Sequence, residues 1–310
     1  MSPTDESAPP LMTPELGPPC EVLRPETGSA PLVLSSPHSG EIYPPSLMKQ
    51  VRLHQSQLRC LEDGRVDLLF GSATEVGAPL LRARFARAYV DPNREAYELD
   101  AELFEGPLPA YVNVGSVKAR AGLGTIPSRV GGKPIYRALL DFGEAERRIH
   151  LAYWPYHRSL QSLLLQAHGE FGVALLLDCH SMPSFAANGG GAADVDFALG
   201  DRFGRSCAPE VVARAEALLL GKGFRVARNR PYAGGHITAR YGRPDAGMNA
   251  LQIEVRRGLF MHERSRQPYR SVPELELVLR ELLSELASFM IARPTPPRAA
   301  ATAGMPLAGF

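Results

Sequence analysis

Short apolar runs recurring between longer amphipathic stretches are what most restrict the folds open to this chain. Leu32–Leu34, Leu80–Leu81, Tyr89–Val90, Val173–Leu177, Phe224–Val226 and Leu251–Val255 read as strands. Between them, Phe142–His168 carries Ile149, Tyr153, Tyr156, Leu160 and Leu163–Leu164 at helical spacing, and Val211–Leu220 and Pro273–Ile291 behave likewise. Alternation of this kind predicts a three-layer α/β sandwich around a mixed, mainly parallel sheet. With 310 residues, 45% of them hydrophobic, the chain has enough apolar material for a full core.

The ends differ from this middle. Residues 1–30 carry Pro3, Pro9, Pro10, Pro14, Pro18, Pro19 and Pro25 among small polar residues, and the pattern returns from about Arg293 with Pro294, Pro296 and Pro297. Such composition resists packing. The expectation is a mobile leader over 1–30, one catalytic domain over 31–293 and a mobile tail over 294–310. Gly189-Gly190-Gly191 reads as a flexible loop, and neither a P-loop nor a GxGxxG followed by a helix is present.

Charge and cysteine usage exclude several classes of partner. Lys plus Arg number 34 against 33 Asp plus Glu, a net charge of +1 that offers no global field for nucleic acid or an anionic membrane. The four cysteines, Cys20, Cys60, Cys179 and Cys207, form no CxxC pair, which argues against a disulfide framework and points to a reducing, cytoplasmic setting. No run reaches the roughly 20 apolar residues that span a bilayer. The expected partner is a small molecule.

In open α/β sheets ligands gather at the carboxyl edges of strands. There Leu32-Val33-Leu34 runs into Ser35-Ser36-Pro37-His38-Ser39-Gly40, and Ala174–Leu177 runs into Asp178-Cys179-His180-Ser181. Catalytic zinc takes three nitrogen or oxygen ligands from the protein and leaves a position to water. His38 and His180 are the natural pair. Two carboxylates compete for the third place: Glu41, whose HxxE spacing from His38 suits one turn of a nascent helix, and Asp63, beside Gly64 and ahead of the helical stretch Val66–Phe70. Asp178, two residues before His180, is suited to orient that imidazole through its second nitrogen.

Hydrolysis through such a centre needs a base, and Glu254 fits. It lies in the apolar run Leu251–Val255, where a carboxylate is costly unless partners or function hold it. A substrate bearing carboxylates calls for guanidinium groups. Arg94 with the Asn93 amide is the first candidate; Arg240 and Arg243 follow, and His236, after Gly234-Gly235, is placed to polarise a carbonyl. There is no G-x-S-x-G elbow for a serine hydrolase.

Taken in order, Ser36-Pro37-His38-Ser39-Gly40, Glu62-Asp63 with Val66-Asp67, Ala88-Tyr89-Val90-Asp91 with Asn93-Arg94-Glu95, Gly122-Leu123-Gly124, Asp178-Cys179-His180-Ser181-Met182-Pro183, Gly234-Gly235 with Thr238, and Gln252-Ile253-Glu254 with Arg257-Gly258 resemble the N-formylglutamate amidohydrolase family. The resemblance runs from about residue 30 to 265. It implies a fold similar to zinc carboxypeptidases and release of formate from N-formyl-L-glutamate in histidine breakdown. It further implies that His38 and His180 bind Zn²⁺, that Glu254 is the general base, and that Asn93 with Arg94 holds a substrate carboxylate. It places Asp63 ahead of Glu41 as the third ligand. His236 departs from the family pattern, in which an aromatic residue is expected. A related zinc deacylase or exopeptidase acting on another N-acyl amino acid, and a non-catalytic binder of a small acidic metabolite, are the alternatives.

Overall fold

A computed structural model of the chain describes residues 15–184 and 195–292. Most of the 1–30 leader, the 294–310 tail and the Gly189–Gly191 loop lie outside the described residues. Within the leader's described part, Cys20–Leu23 forms strand β1, so this stretch is not uniformly without structure.

Six further strands follow: β2 (Leu32–Ser36), β3 (Leu80–Ala83), β4 (Ala174–Met182), β5 (Phe197–Gly200), β6 (Val226–Arg228) and β7 (Met248–Arg256). They make one seven-stranded sheet in the order β1-β3-β2-β4-β7-β5-β6. The β2–β3, β2–β4, β4–β7 and β5–β6 pairs are parallel and β5–β7 is antiparallel. This is the mixed, mainly parallel sheet that the apolar runs predict. Every residue of β2 and β4 is buried, as parallel strands with both faces covered require.

The chain divides into two compact units. The unit made of Val22–Pro37, Asp63–Arg82 and Leu160–Phe310 contains most of the sheet and its core. Helix α3 (Pro209–Gly221) begins with Pro at its first turn, where no N–H is missed, and buries Val211, Val212, Ala215 and Leu219. Helix α4 (Val272–Ala292) buries Leu275, Leu279, Leu282, Leu283, Leu286 and Met290, a stripe at helical period. Both stripes join Leu34, Leu80, Leu177, Phe197 and Ile253 from the strands in one apolar cluster.

The other unit, Met1–Glu21, His38–Glu62 and Ala83–Ser159, is built mostly of turns and short helices. Its longest regular element opens at α1 (Phe142–Arg148), where the Asp141 carboxylate caps the Gly143 N–H at 2.7 Å. A π turn over Ile149–Tyr153 leads into α2 (Trp154–Phe171). Arg148 is fully buried and ties the unit together: it donates to Glu144 Oε1 at 2.7 Å, the Tyr89 carbonyl at 3.2 Å, the Tyr136 hydroxyl at 2.7 Å and Gln50 Oε1 at 2.5 Å. Its removal strands several buried acceptors at once. Arg148→Ala is therefore expected to lower stability by about 3–5 kcal/mol, read as a reduced urea midpoint.

Three local readings are corrected. Tyr89–Val90 is buried but belongs to a turn, with the Tyr89 N–H on the Ala86 carbonyl at 2.9 Å; a run of two apolar residues is too short to distinguish the two. The segment after His38 is not helical, since helix begins only at Pro45. His180 does not follow the end of its strand but sits inside β4, which continues to Met182.

Candidate metal and catalytic centre

Two buried strands deliver the histidines. His38 lies two residues past the end of β2, in a segment whose path is set by a close approach: a Cβ added at Gly40 would lie 2.1 Å from the Phe85 carbonyl oxygen. Only glycine lets the chain turn there. His180 is on β4, in register with Glu254 of the neighbouring β7, while Asp178 pairs with Gln252. Side chains two residues apart on a strand share a face, so Asp178, His180, Gln252 and Glu254 form a block on one side of the sheet. Asp63 precedes Gly64 and Arg65, both with φ near 57°, a left-handed turn that Gly64 adopts without penalty.

His38, Asp63 and His180 each offer a ligand atom, all within 4.8 Å of one another, and all three residues are buried. His180 Nδ1 is 2.7 Å from Asp63 Oδ2 and its Nε2 is 3.0 Å from Asp178 Oδ2. Ser35 donates to the other Asp178 oxygen at 3.2 Å. His38 Nε2 is 2.8 Å from Asp91 Oδ1, and Asp91 also takes the Arg87 Nε–H and the Asn93 backbone N–H at 2.8 Å each. Each imidazole thus has a carboxylate at Nε2 that fixes its orientation, and His180 has a second, Asp63, at Nδ1. Carboxylates paired with imidazoles in this way commonly accompany metal-ligating histidines.

The electrostatics agree. Burial alone would depress the His180 imidazolium, but Asp178 and Asp63 more than reverse this and hold its pKa well above the ordinary value. Burial alone would raise the Asp91 carboxyl, yet Arg87, His38 and Arg94 hold it well below the usual range. Glu254 is pushed up to about 7, chiefly by burial and further by Asp63 and Asp178, with His180 and Arg257 opposing. The Asp178 and Asp63 carboxylates thus favour positive charge at His180. Two imidazoles and a carboxylate are a donor set suited to zinc, so the residues fit the group.

Glu41 stands apart from this group. Its carboxylate is 56% exposed and paired with Arg59 at 2.6 Å, because the chain after His38 does not wind into the helix that HxxE joint ligation presumes. Arg94 is mostly buried, and its guanidinium donates to two main-chain carbonyls, Leu123 at 2.7 Å and Asn93 at 3.4 Å. The segment Pro92–Arg94 is braced from α2 and the preceding turn, where His157 Nε2 is 2.8 Å from the Pro92 carbonyl and the Tyr153 hydroxyl donates to the Arg94 carbonyl at 2.7 Å. His236 and Arg240 are half-buried on the short helix His236–Tyr241, with the Arg240 guanidinium 5.8 Å from the Tyr241 ring centre. Arg243 is half-buried just beyond it.

Two residues of the centre had no assigned role in the sequence. Asp91 was marked only by its place in the Ala88–Asp91 motif, and Arg257 only by its place after Glu254; what each touches lies far away along the chain.

Comparison with known proteins matches residues 30–261 to the N-formylglutamate amidohydrolase family model. An N-formylglutamate deformylase of Pseudomonas aeruginosa is 32% identical over 275 residues, covering 87% of this chain and 97% of that protein. One from Pseudomonas putida is 28% identical with the same coverage. Among solved structures, the N-formylglutamate amidohydrolase of Ralstonia eutropha JMP134 superposes with a TM-score of 0.82 at 37% identity, over 88% of this chain and 98% of that one.

Proposed function

The chain belongs to the N-formylglutamate amidohydrolase family, and on that footing we propose that it hydrolyses the amide of N-formyl-L-glutamate to formate and L-glutamate, as a zinc enzyme of histidine breakdown. The observation that carries this reading is the buried His38, Asp63 and His180 group with Glu254 beside His180 across the β4–β7 ladder.

His38, Asp63 and His180 would hold zinc, with Asp91 and Asp178 fixing the two imidazoles from behind. Zinc, when bound, acidifies water and polarises a carbonyl. Glu254 takes the proton from water as its oxygen attacks the formyl carbon, and delivers it to nitrogen as the C–N bond breaks. A buried carboxyl with a pKa near 7 suits both halves of that exchange. Gln252 Nε2 donates to Glu254 Oε1 at 2.7 Å, which restrains the carboxylate in one rotamer. Asn93 and Arg94 are assigned to a substrate carboxylate, and His236 and Arg240 to the rest of the pocket.

The reading is tested by kcat/KM across N-acyl amino acids. N-formyl-L-glutamate is expected to exceed N-acetyl-L-glutamate and N-formyl-L-leucine by at least about tenfold, since a site built to pair a carboxylate rejects a substrate that leaves it unpaired. A higher value for a larger acyl group or an apolar amino acid would transfer the chain to another deacylase specificity. Among the described residues no helix is long and apolar enough to cross a membrane.

A further inference from the structure

We infer that Arg257 is a positioning residue that holds Asp63 as a single-oxygen metal ligand. The inference rests on the metal reading above and adds to it a residue outside the ligand set.

Asp63 cannot owe its orientation to regular structure. It follows the short turn that ends at Glu62 and precedes two consecutive left-handed residues, Gly64 and the non-glycine Arg65, a strained path that surrounding bonds must maintain. Those bonds come from the ends of β4 and β7. Ser181, next to His180, donates its hydroxyl to the Asp63 backbone carbonyl. Arg257, the first residue after β7, donates Nε–H to that same Ser181 oxygen at 3.0 Å and Nη2–H to the Ser181 carbonyl at 3.4 Å. The same Nη2 is 3.4 Å from Asp63 Oδ1. One planar guanidinium therefore fastens both the main chain and the carboxylate of Asp63, the first through Ser181 and the second directly.

The division of the carboxylate is what gives this consequence. Oδ2 faces His180 Nδ1 at 2.7 Å, whereas Oδ1 is turned to Arg257. Both side chains are shielded, Asp63 at 5% and Arg257 at 14% exposure, so solvent does little to weaken the pair. Without the guanidinium, Asp63 keeps the Oδ2 contact with His180 but loses this restraint on Oδ1, and its backbone anchor loses the donor that orients Ser181. Lysine does not replace it, because a point donor cannot span Ser181 Oγ and Asp63 Oδ1 together.

The test is zinc affinity, by competition with a chelator of known strength, for the full chain and for Arg257→Ala, Arg257→Lys and Ser181→Ala, alongside thermal unfolding of each metal-free protein. Outer partners of ligands typically change affinity by roughly 10–100-fold. Arg257→Ala is expected to lose that much, Arg257→Lys to recover only part, and added ethylguanidinium to restore affinity to Arg257→Ala. If Arg257→Ala does not fold, Arg257→Lys and Ser181→Ala are expected to show the loss with a metal-free unfolding transition near that of the parent. Variants that bind zinc within about twofold of the parent overturn the inference and leave the metal reading intact. A parent chain that binds no zinc overturns both.

Discussion

Glu254→Gln is expected to reduce kcat on N-formyl-L-glutamate by roughly 10²–10⁴-fold, the usual contribution of a positioned general base, while zinc binding persists. The amide is nearly isosteric and its oxygen still accepts from Gln252 Nε2 at the 2.7 Å position that Glu254 Oε1 holds, so the strand and its neighbours have no reason to move. What disappears is the proton acceptor. Glu254 stands 6% exposed, in register with His180 and two residues from Gln252, and no other carboxylate shares that face of β7. Its loss should therefore appear in kcat far more than in KM, since an interaction made only in the transition state leaves ground-state binding alone. Steady-state kinetics with zinc titration of the variant check both halves. Near-normal turnover would remove Glu254 from the chemistry.

Asp63→Asn and Glu41→Gln are expected to part sharply. The first replaces a buried anionic donor with a neutral one and breaks the balance of charge around His180, so zinc affinity should fall by at least about 100-fold and activity with it. The second removes only a half-exposed ion pair with Arg59, an interaction worth little in water, and should leave zinc affinity and kcat within about twofold. Isothermal titration with zinc and the formate assay on both variants decide the matter. The reverse pattern would return Glu41 to the ligand set and require the segment after His38 to rearrange around the metal.

Why Glu41 and Asp63 looked comparable in the sequence is a question of range. HxxE is a local spacing, informative only if the local chain is helical, and whether it is depends on Gly40 lying against the Phe85 carbonyl, a contact 45 positions away. Nothing between residues 38 and 41 announces it. The same limit hid Asp91: Tyr89–Val90 has the look of a strand, but it turns, and the carboxylate that follows reaches His38 over 53 residues. Arg257 became visible only once the β4–β7 register set the ends of the two strands side by side. The more legible features were those with a local cause. β2, β4 and β7 showed as apolar runs because both faces are covered, α3 and α4 showed as periodic stripes, and His38, Asp178 and His180 stood out as polar residues continuing buried strands. Strand β5, the four residues Phe197–Gly200, carries too little pattern to be found, and β1 lay within proline-rich sequence that reads as unstructured.

The most direct test of the central claim is formate release from N-formyl-L-glutamate by the purified chain as isolated, after chelation, and after zinc is restored. Activity that is lost on chelation and returns with zinc is the predicted result. Formate release that persists at full rate in the zinc-free protein would contradict the claim.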